Sequence, residues 1–243
     1  MSEESFKPRV IILAGGKGAR LRPYTATFPK PLVPLGDVPI VEILVRRLVS
    51  FGLTDITFTL GHLAELIKAY FDHRVDLTSR LNLTFLTEDA PTGTAGSLAF
   101  VPNLTDTFLA MNGDILTDLN FAELIAFHRA NRPALTIATC RRTTQIDLGV
   151  LEVDGSGHVI NYREKPSYDY DVSMGIYVYE PHTLDLIEKG THVDFPELVL
   201  RLISAGEKVC AWNHGGLWLD IGRPDDYAAA QDLFEKNRQL FIG

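Results

Sequence analysis

The sequence predicts an α/β domain, a mixed but mainly parallel sheet flanked by helices, with a smaller strand-rich lobe after it. Three observations carry this prediction. The run Val10–Ala14 is wholly apolar, as a strand buried on both faces of a parallel sheet must be. Strand-like and helix-like segments alternate up to about residue 133, the pattern of repeated strand–helix units. The first strand also opens straight into "GGKG", and a glycine-rich loop there is a common way to offer backbone N–H groups to an anion.

Each element has its own signature. "PIVEILVRRLVSFG" places Ile40, Ile43, Leu44, Leu48 and Phe51 at helical spacing, with Gly52 as a stop. "DITFTL", "LNLTFLTE" and "TFLAMNGD" read as strands, and "LAELIKAYF" and "FAELIAFHRAN" as helices, the latter capped by Asn120. His62 and His128 are both expected in helices. After Ala134 come "ALTIATC", "LGVLEVD", "VINYREKP" and "VSMGIYVY", strands joined in the middle by a "DGSG" hairpin turn. "FPELVLRLISAG" returns to helix, "KVCAW" and "GLWLDI" to strand. A last helix begins at Pro224, with Asp225 and Asp226 beside its positive end. No repeat or linker interrupts the chain. The organisation expected is a flexible lead-in over residues 1–8 and one domain over 9–240, divided near 133 and 134 into a larger strand–helix half and a smaller mixed-sheet half.

Bulk properties exclude several function classes. A chain of 243 residues with 46% hydrophobic content builds a full core, and its net charge of −8 disfavours a nucleic-acid surface. Cys140 and Cys210 match no metal spacing, and Cys140 lies in an apolar alternating run that reads as core. No histidine pair has ligand spacing, and no GxSxG serine is present. No segment is long enough for a membrane span, and the polar N-terminus is unlike a signal peptide, so a cytoplasmic protein without a membrane partner is expected.

The chemistry concentrates in a few stretches. Gly15, Gly16 and Gly18 follow Leu13 and Ala14, and the cations Arg20, Arg22 and Lys30 come just after. The loop is neither GxxxxGK[ST] nor GxGxxG. A tight strand-to-helix turn would account for the glycines but not for three cations that repel one another; a polyphosphate accounts for both. Asp114 follows Asn112 at the end of an apolar strand, and Asp220 ends another, the position where open α/β sheets place ligands. Such aspartates are also common turn formers. Taken with a phosphate loop, the pair suits Mg²⁺, which takes one or two carboxylates and otherwise phosphate and water oxygens.

"LAGGKGARLRPYTATFPKPLVPLGDVPI" resembles the signature of the sugar-1-phosphate nucleotidyltransferases, GGxG-[TS]-RLxPxT…PKPxxP. It matches at Gly15, Gly16, Gly18, Arg20, Leu21, Pro23, Thr25, Pro29, Lys30 and Pro31, with Ala19 in place of the usual hydroxyl residue. The resemblance extends over about residues 9–230. It implies the Rossmann-like nucleotide-diphospho-sugar transferase fold, with a nucleotide-binding half over about 9–133 and a sugar-binding half over about 134–240. It further implies that Arg20 and Lys30 hold phosphates and that Asp114 and Asp220 hold Mg²⁺. "PTGTAG" would read the base through Gly93 and Thr94, with Glu88 upstream as a polar partner. "REKP" would supply Lys165 to the sugar phosphate and Glu164 to sugar hydroxyls, with Gly149 and Gly175 close to the sugar. Ser173 departs from the asparagine often found there.

The implied reaction joins an NTP to a sugar 1-phosphate, giving an NDP-sugar and pyrophosphate. The double glycine of "AGG" and "PTGTAG" look most like guanylyltransferases of the mannose-1-phosphate type, with mannose, heptose and amino sugars as candidates. The same reaction with dTTP, UTP or CTP stays open, as do a catalytically silent nucleotide-sugar-binding protein and a homo-oligomer. A glycosyltransferase of similar fold would carry a DxD motif, and Asp114-Ile115-Leu116 is not one.

Overall fold

A computed structural model describes residues 7–88 and 90–242, so the expected lead-in falls outside the described residues as far as Phe6. The buried run Val10–Ala14 is β1. A short antiparallel pair, β2 (Pro34–Leu35) and β3 (Val38–Pro39), leads into α1 (Ile40–Ser50). There follow β4 (Asp55–Leu60), α2 (Ala64–Asp72), α3 (Val75–Thr78), β5 (Asn82–Thr87) and the single turn α4 (Gly93–Gly96). His62 sits in the turn before α2 rather than within the helix. Next come β6 (Phe108–Asn112), β7 (Ile115–Thr117) and α5 (Phe121–Asn131), which contains His128. Asn120 caps α5 as its sequence predicts, its Oδ1 accepting from the N–H groups of Ala122 and Glu123 at 3.1 and 3.2 Å.

The rest of the chain forms β8 (Leu135–Gln145), the hairpin β9 (Val150–Val153) and β10 (Val159–Arg163), and β11 (Ser167–Tyr179). It continues through α6 (Phe195–Ser204), β12 (Val209–Asn213), β13 (Trp218–Asp220), α7 (Pro224–Lys236) and α8 (Arg238–Ile242). Seven strands make one sheet in the order β12-β8-β11-β6-β1-β4-β5. Only β11 runs against the others, so the sheet is mixed but mainly parallel, as expected.

Alternate residues of the central strands feed opposite layers. Val10, Ile12, Leu109 and Met111 pack under α1, α2 and α5, whereas Ile11, Phe108 and Ala110 pack with Leu198 and Leu202 of α6. Cys140 is buried in the first of these layers. Of the strands after Ala134, β8, β11 and β12 join the main sheet edge to edge, and β13 pairs with β7 in a two-stranded sheet. The β9–β10 hairpin makes a two-stranded sheet of its own, and β11 begins at Ser167, five residues before the strand expected from Val172.

Candidate active site

The parallel strands β1 and β6 end side by side, Leu13 opposite Asn112. Two loops therefore leave the sheet at one edge of a cleft of about 570 Å³. The first is the glycine loop. Gly18 adopts φ +61°, the left-handed region that glycine reaches without a Cβ penalty. Any Cβ there would meet Lys30 Cβ at 3.0 Å, and its carbonyl accepts from the Thr25 hydroxyl at 2.7 Å. The chain then makes a short turn over Ala19–Leu21, anchored by the fully buried Leu21, which leaves Arg20 at the rim. A second turn, Lys30–Leu32, brings Lys30 under the loop with only 8% of its surface exposed.

The second loop carries Asp114. Strands β7 and β13 pair antiparallel with Ile115 opposite Asp220, and the N–H of Ile221 donates to the Asp114 carbonyl at 3.1 Å. That pairing locks two carboxylates, 106 positions apart in the chain, onto one wall. Lys30 Nζ donates to Asp114 Oδ2, while Asp114 Oδ1 is buried with no hydrogen-bond partner. Burial pushes the Asp220 carboxyl above the ordinary carboxylate range, and the Asp114 charge pushes it further; Lys30 and Arg20 oppose the shift. Around Gly222, a methyl-sized probe would lie 3.4 Å from Asp220, 3.5 Å from Asp226 and 3.8 Å from the Arg20 guanidinium, so these groups converge.

A partly shielded pair of carboxylates, one with an unpartnered oxygen, fits a hard divalent cation. Among the described residues there is no group of three or more His, Cys, Asp and Glu arranged around a metal position. Mg²⁺ does not need one, since phosphates and water complete its shell.

The opposite wall holds Glu88 and the α4 turn. Glu88 is half-buried, and its Oε1 accepts from the Thr92 hydroxyl at 2.5 Å. Burial raises its carboxyl, and the Thr92 bond offsets part of that rise. Gly93 and Thr94 line the cleft, but the N–H of Thr94 is committed to Asp194 Oδ1 at 3.0 Å, and those of Ala95 and Gly96 to the Val193 carbonyl. The loop 191–194 thus satisfies most of the α4 N-terminus itself, whereas Glu88 commits one carboxylate oxygen, to Thr92.

The cleft is lined by Leu13, Ala14, Gly15, Gly16, Gly18, Arg20, Lys30, Glu88, Gly93, Thr94, Asn112, Asp114 and Asp220, all singled out from sequence. Gly175 abuts it at φ +72°, where a Cβ would strike the Asn112 amide at 2.6 Å. Three sequence-selected residues do not join the lining: Gly149, Glu164 and Lys165. The reason is the pairing of Ser167–Ser173 in β11 with Thr139–Gln145 in β8, which carries that segment outward. There Lys165 pairs with Asp147 at 2.8 Å, Glu164 accepts from the Tyr162 hydroxyl at 2.8 Å, and Gly149 faces the Tyr162 ring. Sequence reading missed His192 and Asp194, which also line the cleft. Asp194 had one visible signal, its place just before "FPEL" as a helix cap, yet its side chain turns to Thr94 instead.

The family model described as nucleotidyl transferase matches residues 9–237. The chain belongs to that family. A UTP–glucose-1-phosphate uridylyltransferase of Synechocystis sp. is 33% identical over 240 residues, covering 90% of this chain and 61% of the relative. A mannose-1-phosphate guanylyltransferase of Mycobacterium tuberculosis is 31% identical over 224 residues, covering 89% and 62%. The chain thus spans about three fifths of the length of these curated relatives. The crystal structure of HddC from Yersinia pseudotuberculosis superposes with a TM-score of 0.71 at 25% identity, covering 93% of this chain and 99% of that one.

Proposed function

We propose that this chain transfers a nucleotidyl group from an NTP, GTP above the others, to a sugar 1-phosphate of the mannose, heptose or amino-sugar type. One observation carries the reading: Arg20, Lys30, Asp114 and Asp220 converge at one end of a cleft whose far wall presents Glu88. A phosphate oxygen of the sugar 1-phosphate attacks the α-phosphorus, and that P–O bond forms as the bond to the bridging β-oxygen breaks. Pyrophosphate leaves with the electron pair. The nucleophile is already an anion, so no strong base is required; the barrier is charge, and positioning and electrostatics lower it.

The glycine loop gives the polyphosphate bare backbone to lie against. Arg20 and Lys30 balance the charge that gathers on the departing pyrophosphate. Asp114 and Asp220 would hold Mg²⁺, which as a Lewis acid would neutralise phosphoryl charge. Lys165 is assigned to the sugar phosphate, Glu164, Gly149 and Gly175 to the sugar. Among the described residues no helix is long and apolar enough to cross a membrane.

Glu88 supports guanine. A carboxylate only accepts, and guanine presents two neighbouring donors, N1–H and N2–H₂, whereas uracil and thymine set carbonyls on both sides of a single N–H. The relatives include both guanylyl- and uridylyltransferases, so the base rests on this group. Pyrophosphate release should be measured for each NTP against a panel of sugar 1-phosphates, with and without Mg²⁺. GTP should give the highest kcat/KM. Glu88→Gln should lower it by about 10–100-fold, the worth of one bidentate base contact, and narrow the gap to UTP. An unchanged base preference in that variant would reject the assignment.

A further inference from the structure

The turn α4 beside the cleft cannot sustain itself. It spans Gly93–Gly96, with a glycine at each end, and Gly93 sits at φ +81°. A helix that short does not hold in water on its own, and glycine weakens it further. Its N-cap is Thr92, a residue type whose hydroxyl ordinarily accepts from an N–H of the first turn. Here Thr92 makes no such bond and donates to Glu88 Oε1 instead.

The first turn is capped from a segment 100 positions away. Asp194 Oδ1 accepts from the N–H of Thr94 at 3.0 Å and from its hydroxyl at 3.2 Å. The Thr94 hydroxyl in turn accepts from the N–H of Phe195 at 2.9 Å. The Val193 carbonyl accepts from the N–H groups of Ala95 and Gly96, and the Val193 N–H donates to the Thr92 carbonyl, all at 2.9 Å. The two segments meet without a gap: a Cβ on Gly93 would strike the Val193 carbonyl at 2.5 Å and Asp194 Oδ1 at 3.0 Å. Val193 and Phe195, on either side of Asp194, are buried with Ala95, Leu98 and Leu198, which fixes the backbone that carries the carboxylate. Asp194 itself stands at the N-cap of α6, yet makes no bond to its own helix. The two caps are crossed. Asp194 forgoes α6 to serve α4, and Thr92 forgoes α4 to serve Glu88. Each forgone cap costs its helix stability, so the arrangement favours the cleft over the helices that frame it.

We propose that Asp194 is a positioning residue for base selection: by capping α4 it leaves the Thr92 hydroxyl to hold Glu88 in the orientation that meets the base. The proposal rests on the role given to Glu88 above. Without the Asp194 carboxylate the Thr94 N–H is left open, at the second position of the turn, which an N-cap side chain is placed to serve. Thr92 then turns to its own helix, and Glu88 loses the bond that orients it.

The readout is the ratio of kcat/KM for GTP to that for UTP, which does not depend on how much of a preparation is folded. Asp194→Ala should lower that ratio by about 5–10-fold, part of the discrimination one bidentate base contact supplies, with the loss carried by KM for GTP more than by kcat. Asp194→Asn, whose amide oxygen accepts the same two bonds, should restore the wild-type ratio. Thr92→Val should lower the ratio as Asp194→Ala does, and the double variant should fall no further, because both act through one link. A wild-type ratio in Asp194→Ala or in Thr92→Val overturns the proposal. So does an additive double variant, or an Asp194→Asn as impaired as Asp194→Ala. An aspartate that only braces the fold would lower Tm on replacement by alanine and leave the ratio where it was. Glu88→Gln, measured alongside, separates the two readings. If it too leaves the ratio unchanged, the base assignment fails and the positioning role with it; if it narrows the ratio and Asp194→Ala does not, only the positioning role fails.

Discussion

The cleft floor and the arm, the exposed outer part of β8 and β11 with the β9–β10 hairpin (residues 141–171), are made of similar strand-forming residues put to opposite uses. Leu109 in β6 is fully buried in the layer under α1, α2 and α5, while Leu148 at the base of the hairpin faces solvent. In the floor, backbone pairing and side-chain burial reinforce each other, and the carboxylates at its end are placed by β7–β13 register. In the arm, pairing continues without burial. The difference teaches that strand propensity decides the backbone while the neighbouring layer decides rigidity, and only the rigid part can present charges that must not move.

The largest effect should fall on turnover. Arg20→Ala and Asp114→Asn should each lower kcat by on the order of 10²–10³ or more, the scale of losing one preorganised charge contact, with secondary structure retained. Arg141→Ala removes an equal charge from the arm, where it is exposed and shared between two aspartates, and should change kcat by less than about threefold. Stopped-time pyrophosphate assays on the three variants decide it. Comparable losses at Arg20 and Arg141 would break the distinction between floor and arm.

Stability should divide the same way. Leu109→Ala leaves a cavity beneath α1 and α5 and should cost about 2–5 kcal/mol in urea unfolding. Leu148→Ala deletes a side chain that touches mostly solvent and should cost the folded monomer less than about 0.5 kcal/mol. A cost above about 2 kcal/mol for Leu148→Ala would mean that the arm packs on its own body.

Much of the floor was legible in the sequence because its causes are local. An unbroken apolar run, a glycine loop, Asn120 before a helix and aspartates closing two strands each state their role within a few residues. The arm was half legible. "SYDYDVS" alternates as a strand does, but neither of its faces is apolar enough to show burial, so the start of β11 at Ser167 escaped notice. The joining of β8 and β12 to the main sheet depends on register between segments about seventy residues apart, which periodicity does not encode. His192 and Asp194 reach the cleft only because their loop folds onto α4, a contact between positions 100 apart.

The smallest effect sharpens the comparison most, since it asks what rigidity costs the floor. Asp220 is held with its carboxyl raised, by burial first and the Asp114 charge second. A carboxyl raised in the folded state binds its proton more tightly there than in the unfolded chain. Its contribution to stability is therefore fully present at low pH and lost as pH climbs through the raised value. At pH 8 the fold carries an Asp220 charge it would be more stable without. Asp220→Asn should then raise Tm by a few degrees at pH 8 while abolishing turnover, and the gap should narrow as pH falls through the raised value of the carboxyl. Mg²⁺ should raise Tm in wild type and not in the variant, because only the wild-type pair of carboxylates gains from binding it. Calorimetry across pH gives the answer, and a lower Tm for Asp220→Asn at pH 8 would show that this carboxylate stabilises the fold after all, leaving no strain for a cation to relieve.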